Sequence, residues 1–363
     1  MQRLEIKGGR KISGTVKISG SKNATLPILA STILTNKKIS ISNVPIVRDV
    51  ETMVELLNTI GSNIKFDKKG KKILIYNKKR INTFAPYRLL KTMRAGVLVL
   101  GPLLAKYGFA KVSLPGGCAI GSRPINLHLD ALKKMGAKIK IKNGYIVASV
   151  KKCLKGCTVK FPKISVGATE NILIASCFAK GKTQLRNCAL EPEVQDLINF
   201  LIKLGCNIKL VGKRSLDIIG VKKLKSISYS IIFDRIEAGT YIIAAALTNG
   251  KLKIININPI VIPIKAVEKL ASTLFATQRL ALTAFRLLGL AALGLALMVF
   301  LLSFRLRERE LRTYSKIGAT RYAIFCLQGI EVAIILIFAA TLSLLAGALT
   351  RSVAPEMLSK LLN

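Results

Sequence analysis

Leu56–Phe66 reads LLNTIGSNIKF, Ala131–Ile141 reads ALKKMGAKIKI, and Phe200–Leu210 reads FLIKLGCNIKL. In each stretch a leucine (Leu57, Leu132, Leu201) stands four residues before a glycine (Gly61, Gly136, Gly205). An isoleucine (Ile64, Ile139, Ile208) follows that glycine by three. The spacing predicts a helix that stops at a left-handed glycine and turns at once into a strand. The copies recur about every 70 residues, so repeated α/β modules packed into one layered body are expected. A fourth copy starts at PIKAVEKL, Pro263–Leu270, and fails: Ala271 takes the glycine's place and ASTLFATQRL follows.

The composition changes where the repeat fails. Before Leu270, Lys, Ile and Asn dominate; after it, lysine occurs only at Lys316 and Lys360, and asparagine only at Asn363. Two apolar runs follow, Leu287–Phe304 (LLGLAALGLALMVFLLSF) and Val332–Leu349 (VAIILIFAATLSLLAGAL). Each is about the length a membrane-spanning helix needs. The basic connector between them, Arg305–Arg321, belongs on the cytosolic side by the charge rule.

The 363 residues carry a formal charge of +40, which suits polyanionic partners. The lysines come as scattered pairs such as Lys37-Lys38 and Lys222-Lys223, without interleaved aromatics, and tryptophan is absent. That pattern points to a general lysine bias, and a nucleic-acid surface is not expected. Seven cysteines without regular spacing and a single histidine, His128, argue against a disulfide framework and a Cys/His zinc site. The start, MQRLEIKGGRKISG, has no apolar run of the kind an export signal needs, so a cytoplasmic location is expected for residues 1–270.

Four segments carry candidate chemistry. Gly20-Ser21-Lys22-Asn23-Ala24 sets a lysine beside an amide after a strand-like Thr15–Ser19; it is either an anion grip or a surface lysine. Lys91-Thr92-Met93-Arg94 puts an arginine at the start of an expected apolar helix, AGVLVLGPLLA, placed to hold an anion or simply solvated. LPGGCAIGSRPINLH, Leu114–His128, sets Cys118 among glycines and near Arg123, in a loop suited to proton transfer or covalent chemistry. Lys163–Glu170 is a strand-to-helix turn in which Ser165 or Thr169 caps the helix or contributes to a nucleotide-binding turn.

Together with NVPIVRDVETM, SVGATENILIAS, EPEVQDLINFL and FDRIEAGTYIIAAA, these segments resemble the UDP-N-acetylglucosamine 1-carboxyvinyltransferase family, in order and spacing, across residues 1–270. The resemblance implies an inside-out α/β barrel of repeated modules, of the EPSP synthase kind, in two lobes. Residues 22–229 would form the first lobe, and residues 1–21 with 230–270 part of the second. Phosphoenolpyruvate would be held by Lys22 and Asn23. The UDP-sugar would be held by Arg94, by Arg123, Pro124, Ile125, Asn126 and Leu127, and by Lys163, Ile164, Ser165 and Val166. Cys118 would be the general acid. No cofactor and no metal would be needed.

Asn126 stands where the family usually has aspartate, and Phe233 where it usually has proline. The family's aspartate base and further arginines, in a Pro-Thr-Asp-Met-Gln segment and beyond, have no counterpart after Leu270, so low turnover is expected. Residues 271–363 instead resemble FtsX-like ABC-transporter permeases, on RERELRTYSKIGATR between two spans; that resemblance implies a membrane and a partner ATPase. A cytosolic connector would put residues 1–270 outside, against their missing export signal. A fusion or join near Leu270 is therefore expected.

Overall fold

The computed structural model describes residues 10–77, 81–116 and 125–258, with scattered residues between 283 and 330. It divides into two compact units, residues 1–268 and 269–363.

In the first unit three four-stranded sheets share one plan. An edge strand runs parallel to its neighbour, which pairs antiparallel with the second arm of a hairpin. The sheets are ordered Ile227–Ser230, Ile39–Ser42, Lys72–Asn77, Ser62–Asp67; Phe84–Ala85, Phe109–Ser113, Tyr145–Ser149, Lys138–Lys142; and Thr158–Lys160, Lys182–Arg186, Ser215–Ile219, Asn207–Leu210. The recurring sequence unit explains the outer hairpin strand of each. Helices Arg48–Thr59, Asn126–Lys134 and Pro192–Leu204 run into Gly61, Gly136 and Gly205 at φ +108°, +95° and +111°, and strands follow directly. Leu57, Leu132 and Leu201 are fully buried.

A second set of helices lies in the interior of this unit. Ala24–Ser31 and Ala168–Ser176 are buried residue by residue, as is Leu100–Leu104. A helix apolar on every face must lie inside, with the sheets around it. Several of the buried hydroxyls are satisfied locally: those of Ser31, Thr32 and Ser176 donate to the Ile28, Leu29 and Ile172 carbonyls. The expected single helix after Arg94 is divided: Arg94–Val99 is 3-10, and the α-helix is Leu100–Tyr107. Pro102 has no N–H to give the Leu98 carbonyl. Gly96 also lies so close to Leu90 that a Cβ would sit 2.8 Å from Leu90 Cγ.

Two segments leave this lobe side by side. Ser21 N–H donates to the Ile232 carbonyl and Asp234 N–H to the Ser19 carbonyl, both at 2.8 Å. Beyond them, strand Ser13–Lys17 pairs in parallel with Lys251–Ile255. Helix Arg235–Leu247 packs nearby and buries only Ala238, leaving Ile236 and Leu247 about half exposed. The small core there is Ile18, Phe233 and Ala238.

In the second unit the described residues are mostly helical, and Leu287, Leu290, Leu297 and Leu301 are exposed. Among the described residues no helix is long and apolar enough to cross a membrane. The expected span 287–304 is described only in part, and the span 332–349 and the failed repeat at 263–271 lie outside the described residues.

Candidate functional site

All three modules meet at one cavity of about 590 Å³. The first contributes Lys22, Asn23 and Asp49; the second Lys91, Thr92, Arg94 and His128; the third Ser165, Gly167 and Glu170. The segment 117–124, which carries Cys118, Arg123 and Pro124, lies outside the described residues. Pro115 and Gly116 before it and Ile125 after it all line the cavity.

Local sequence fixes each wall. Ser21 caps helix Lys22–Ser31, its Oγ accepting from Ala24 N–H at 3.3 Å, so Lys22 and Asn23 stand in the first turn, where the peptide dipoles favour anions. Asp234 reinforces that turn by accepting from Lys22 N–H. The Lys22 ammonium pairs with Asp49 Oδ2 at 2.9 Å; both side chains are over one-third exposed, so exchanging this partner for a ligand oxygen costs little. Ser165 caps helix Val166–Ser176, with Oγ accepting from Ala168 N–H. Thr169 is used otherwise: it is buried and accepts from Ala189 N–H at 3.1 Å.

The electrostatics favour an anion. Burial, and then Glu193 and Glu191, push the Glu170 carboxyl well above its ordinary range, which disfavours its charged form. Burial, and then Arg94, push His128 down to about 4, so its imidazole is neutral. The lining thus sets the cations Lys22, Lys91 and Arg94 against Asp49 and the Glu170 carboxyl, whose charge burial disfavours. Such a basin can hold phosphate or carboxylate groups.

Of the residues expected at the site, Lys22, Asn23, Arg94, Ile125 and Ser165 line this cavity. Asn126 and Leu127 instead line a neighbouring cavity of about 560 Å³, with Lys133, Lys134 and Lys160. Lys163, Ile164 and Val166 line neither of these two cavities, and Ile164 and Val166 are exposed. Asp49, Lys91, His128 and Glu170 had no role assigned from the sequence, although Lys91, His128 and Glu170 fall within the candidate segments. Glu170 had left a signal, a lone acid within the apolar run ATENILIAS.

A family profile described as EPSP synthase (3-phosphoshikimate 1-carboxyvinyltransferase) matches residues 6–277. UDP-N-acetylglucosamine 1-carboxyvinyltransferase of Pelagibacter ubique is 61% identical over 262 residues, covering 72% of this chain and 62% of that protein. The enzyme of that name from Rickettsia akari is 52% identical, covering 71% and 62%. The chain therefore spans about three fifths of the length of these curated relatives. Among solved structures, the enolpyruvyl transferase NikO from Streptomyces tendae aligns with a TM-score of 0.62 at 22% identity, covering 68% of this chain and 58% of that one. EPSP synthase from Acinetobacter baumannii aligns at 0.57 and 18%, covering 69% and 57%. At these identities the structures establish the fold.

Proposed function

Since this chain belongs to the EPSP synthase family, we propose that its first 270 residues are the larger part of an enolpyruvyl transferase acting on UDP-N-acetylglucosamine, at the first committed step of peptidoglycan synthesis. The observation that carries the reading is the single cavity uniting Lys22, Asn23, Arg94 and Ser165 from three modules, with both ends of the Cys118 segment in its wall.

In this reading Lys22 and the Asn23 amide hold phosphoenolpyruvate. Arg94 and residues 123–127 and 163–166 hold the UDP-sugar, and the two neighbouring cavities give the extended ligand room. Cys118 donates its proton to the methylene carbon of phosphoenolpyruvate. The sugar 3-hydroxyl attacks the adjacent carbon and loses its proton, and elimination of phosphate together with one proton of the newly formed methyl group restores the enol ether. The cytoplasm is where both substrates occur.

Similarity to the family stops by residue 277. The groups that would take the hydroxyl proton and clamp phosphoenolpyruvate from the other lobe are not among residues 278–363. Each missing charge costs about 10²–10³ in rate, so ligand binding should survive far better than turnover. The permease-like reading of residues 271–363 rests on their sequence, and the exposed leucines between 287 and 301 suit it.

Equilibrium dialysis of the full chain with labelled UDP-N-acetylglucosamine tests the proposal. Saturable binding, weakened at least about tenfold by Arg94→Ala, is expected for loss of a charge-assisted contact. Retention indifferent to that substitution would overturn it.

A further inference from the structure

His128 is the chain's one histidine, buried at 6% exposure in the cavity wall. Its Nδ1 lies 3.0 Å from Asn171 Nδ2. The orientation of the Asn171 amide is fixed by two backbone groups that each have one possible role. Gly101 N–H can only donate, and does so to Asn171 Oδ1 at 2.8 Å. The Val97 carbonyl can only accept, and receives Asn171 Nδ2 at 3.2 Å. Flipping the amide would set donor against donor and acceptor against acceptor. The second Nδ2 hydrogen is therefore aimed at His128 Nδ1, which must accept. A neutral imidazole that accepts at Nδ1 carries its proton at Nε2.

The opposite edge of the ring lies against Gly167. A Cβ built there would be 3.4 Å from Cε1 and 3.5 Å from Nε2 of His128. Gly167 also lines the cavity, in the first turn of helix Val166–Ser176. The Nε2–H edge therefore shares a wall with the start of a helix and with Arg94.

We propose that His128 is a ligand-binding residue, an imidazole held by Asn171 in the Nε2–H tautomer so that it donates to an anionic oxygen of the molecule in this cavity. Under the transferase reading, on which this role rests, that oxygen belongs to the nucleotide-sugar or to phosphoenolpyruvate. A neutral donor here adds a directed contact beside Arg94 without adding charge that product release must overcome.

Nitrogen-15 spectra of the full chain labelled at histidine test this, and with one histidine they need no assignment. A protonated Nε2 and a bare Nδ1 are expected from about pH 6 to 9, with the Nε2–H resonance moving when UDP-N-acetylglucosamine saturates the site. His128→Leu should weaken that binding about tenfold, the loss of one hydrogen bond, while His128→Gln, which returns an N–H near Nε2, should stay within about threefold. An Nδ1–H tautomer, an imidazolium at neutral pH, or an unmoved ring under calorimetric saturation would overturn the proposal, as would a folded His128→Leu variant that binds like the parent. If the nucleotide-sugar does not bind at all, the transferase reading fails instead. Inorganic pyrophosphate is then the probe: a shifted Nε2–H sustains the anion-donor role and an unshifted one ends it.

Discussion

Gly101 has no side chain because there is no room for one. A Cβ there would lie 2.3 Å from Asn171 Oδ1 and 2.5 Å from the Asn171 carbonyl oxygen. Gly101→Ala should therefore cost about 1–3 kcal/mol in urea unfolding, as overpacking does. Two buried titratable groups set a pH dependence. Burial raises Asp196 to about 6 from 3.8, against the opposing pull of its bond from Tyr229, and lowers His128 to about 4 from 6.5. Between about pH 4 and 6 the native state holds a proton on Asp196 that the unfolded chain releases, so stability falls as pH rises. From about pH 4 to 6.5 the unfolded chain binds a proton at His128 that the native state refuses, so stability rises with pH. Each effect is on the order of 3 kcal/mol and they oppose. The parent should change little from these two groups, whereas His128→Gln should lose stability on going from pH 4 to 6.5; denaturant midpoints at each pH measure it. At this scale the sequence was legible where a residue type announces itself, as Lys22 and Arg94 do beside glycine or at a helix start. His128 and Glu170 acquire their character from burial among residues far along the chain, which no local pattern encodes.

At the scale of elements, the helix–glycine–strand junction was the most legible feature, since only backbone handedness is needed to read it. Gly136 isolates that handedness: at φ +95°, a Cβ added there would meet nothing within 4 Å, so steric contact contributes nothing. Gly136→Ala should cost about 1–2 kcal/mol of thermal stability from backbone strain alone. The 3-10 turn at Arg94–Val99 was only partly legible: Pro102 is visible in the sequence, but the close approach of Leu90 to Gly96 is not. Nor was the edge strand Ile227–Ser230, which completes the sheet begun at Ile39 from 188 residues away. Its seat is set by Asn43, whose Nδ2 donates to the Ile231 carbonyl at 2.8 Å, and by Ser42 on the Tyr229 carbonyl. Asn43→Ala would leave that carbonyl short of its donor, and a loss of about 1 kcal/mol is expected.

Over the whole molecule, three closed modules form a lobe with a continuous core, and two side-by-side segments lead from it to a smaller piece whose helix Arg235–Leu247 buries only Ala238. The change of composition near Leu270 and the boundary between the compact units at residues 268 and 269 fall together. The lobe holds the cavity, so binding and turnover separate: phosphate release from phosphoenolpyruvate with UDP-N-acetylglucosamine should be at least about 10²-fold below that of a full-length relative. Transferase chemistry requires the cation-lined cavity and the Cys118 segment to form one site. The direct test is the alkylation rate of Cys118, followed by peptide mapping of the full chain with and without both substrates. Bound ligands should slow alkylation of Cys118 about tenfold or more by denying the reagent access, while Cys153 and Cys157 react as before. A Cys118 rate unchanged at ligand concentrations that saturate binding would contradict a single shared site.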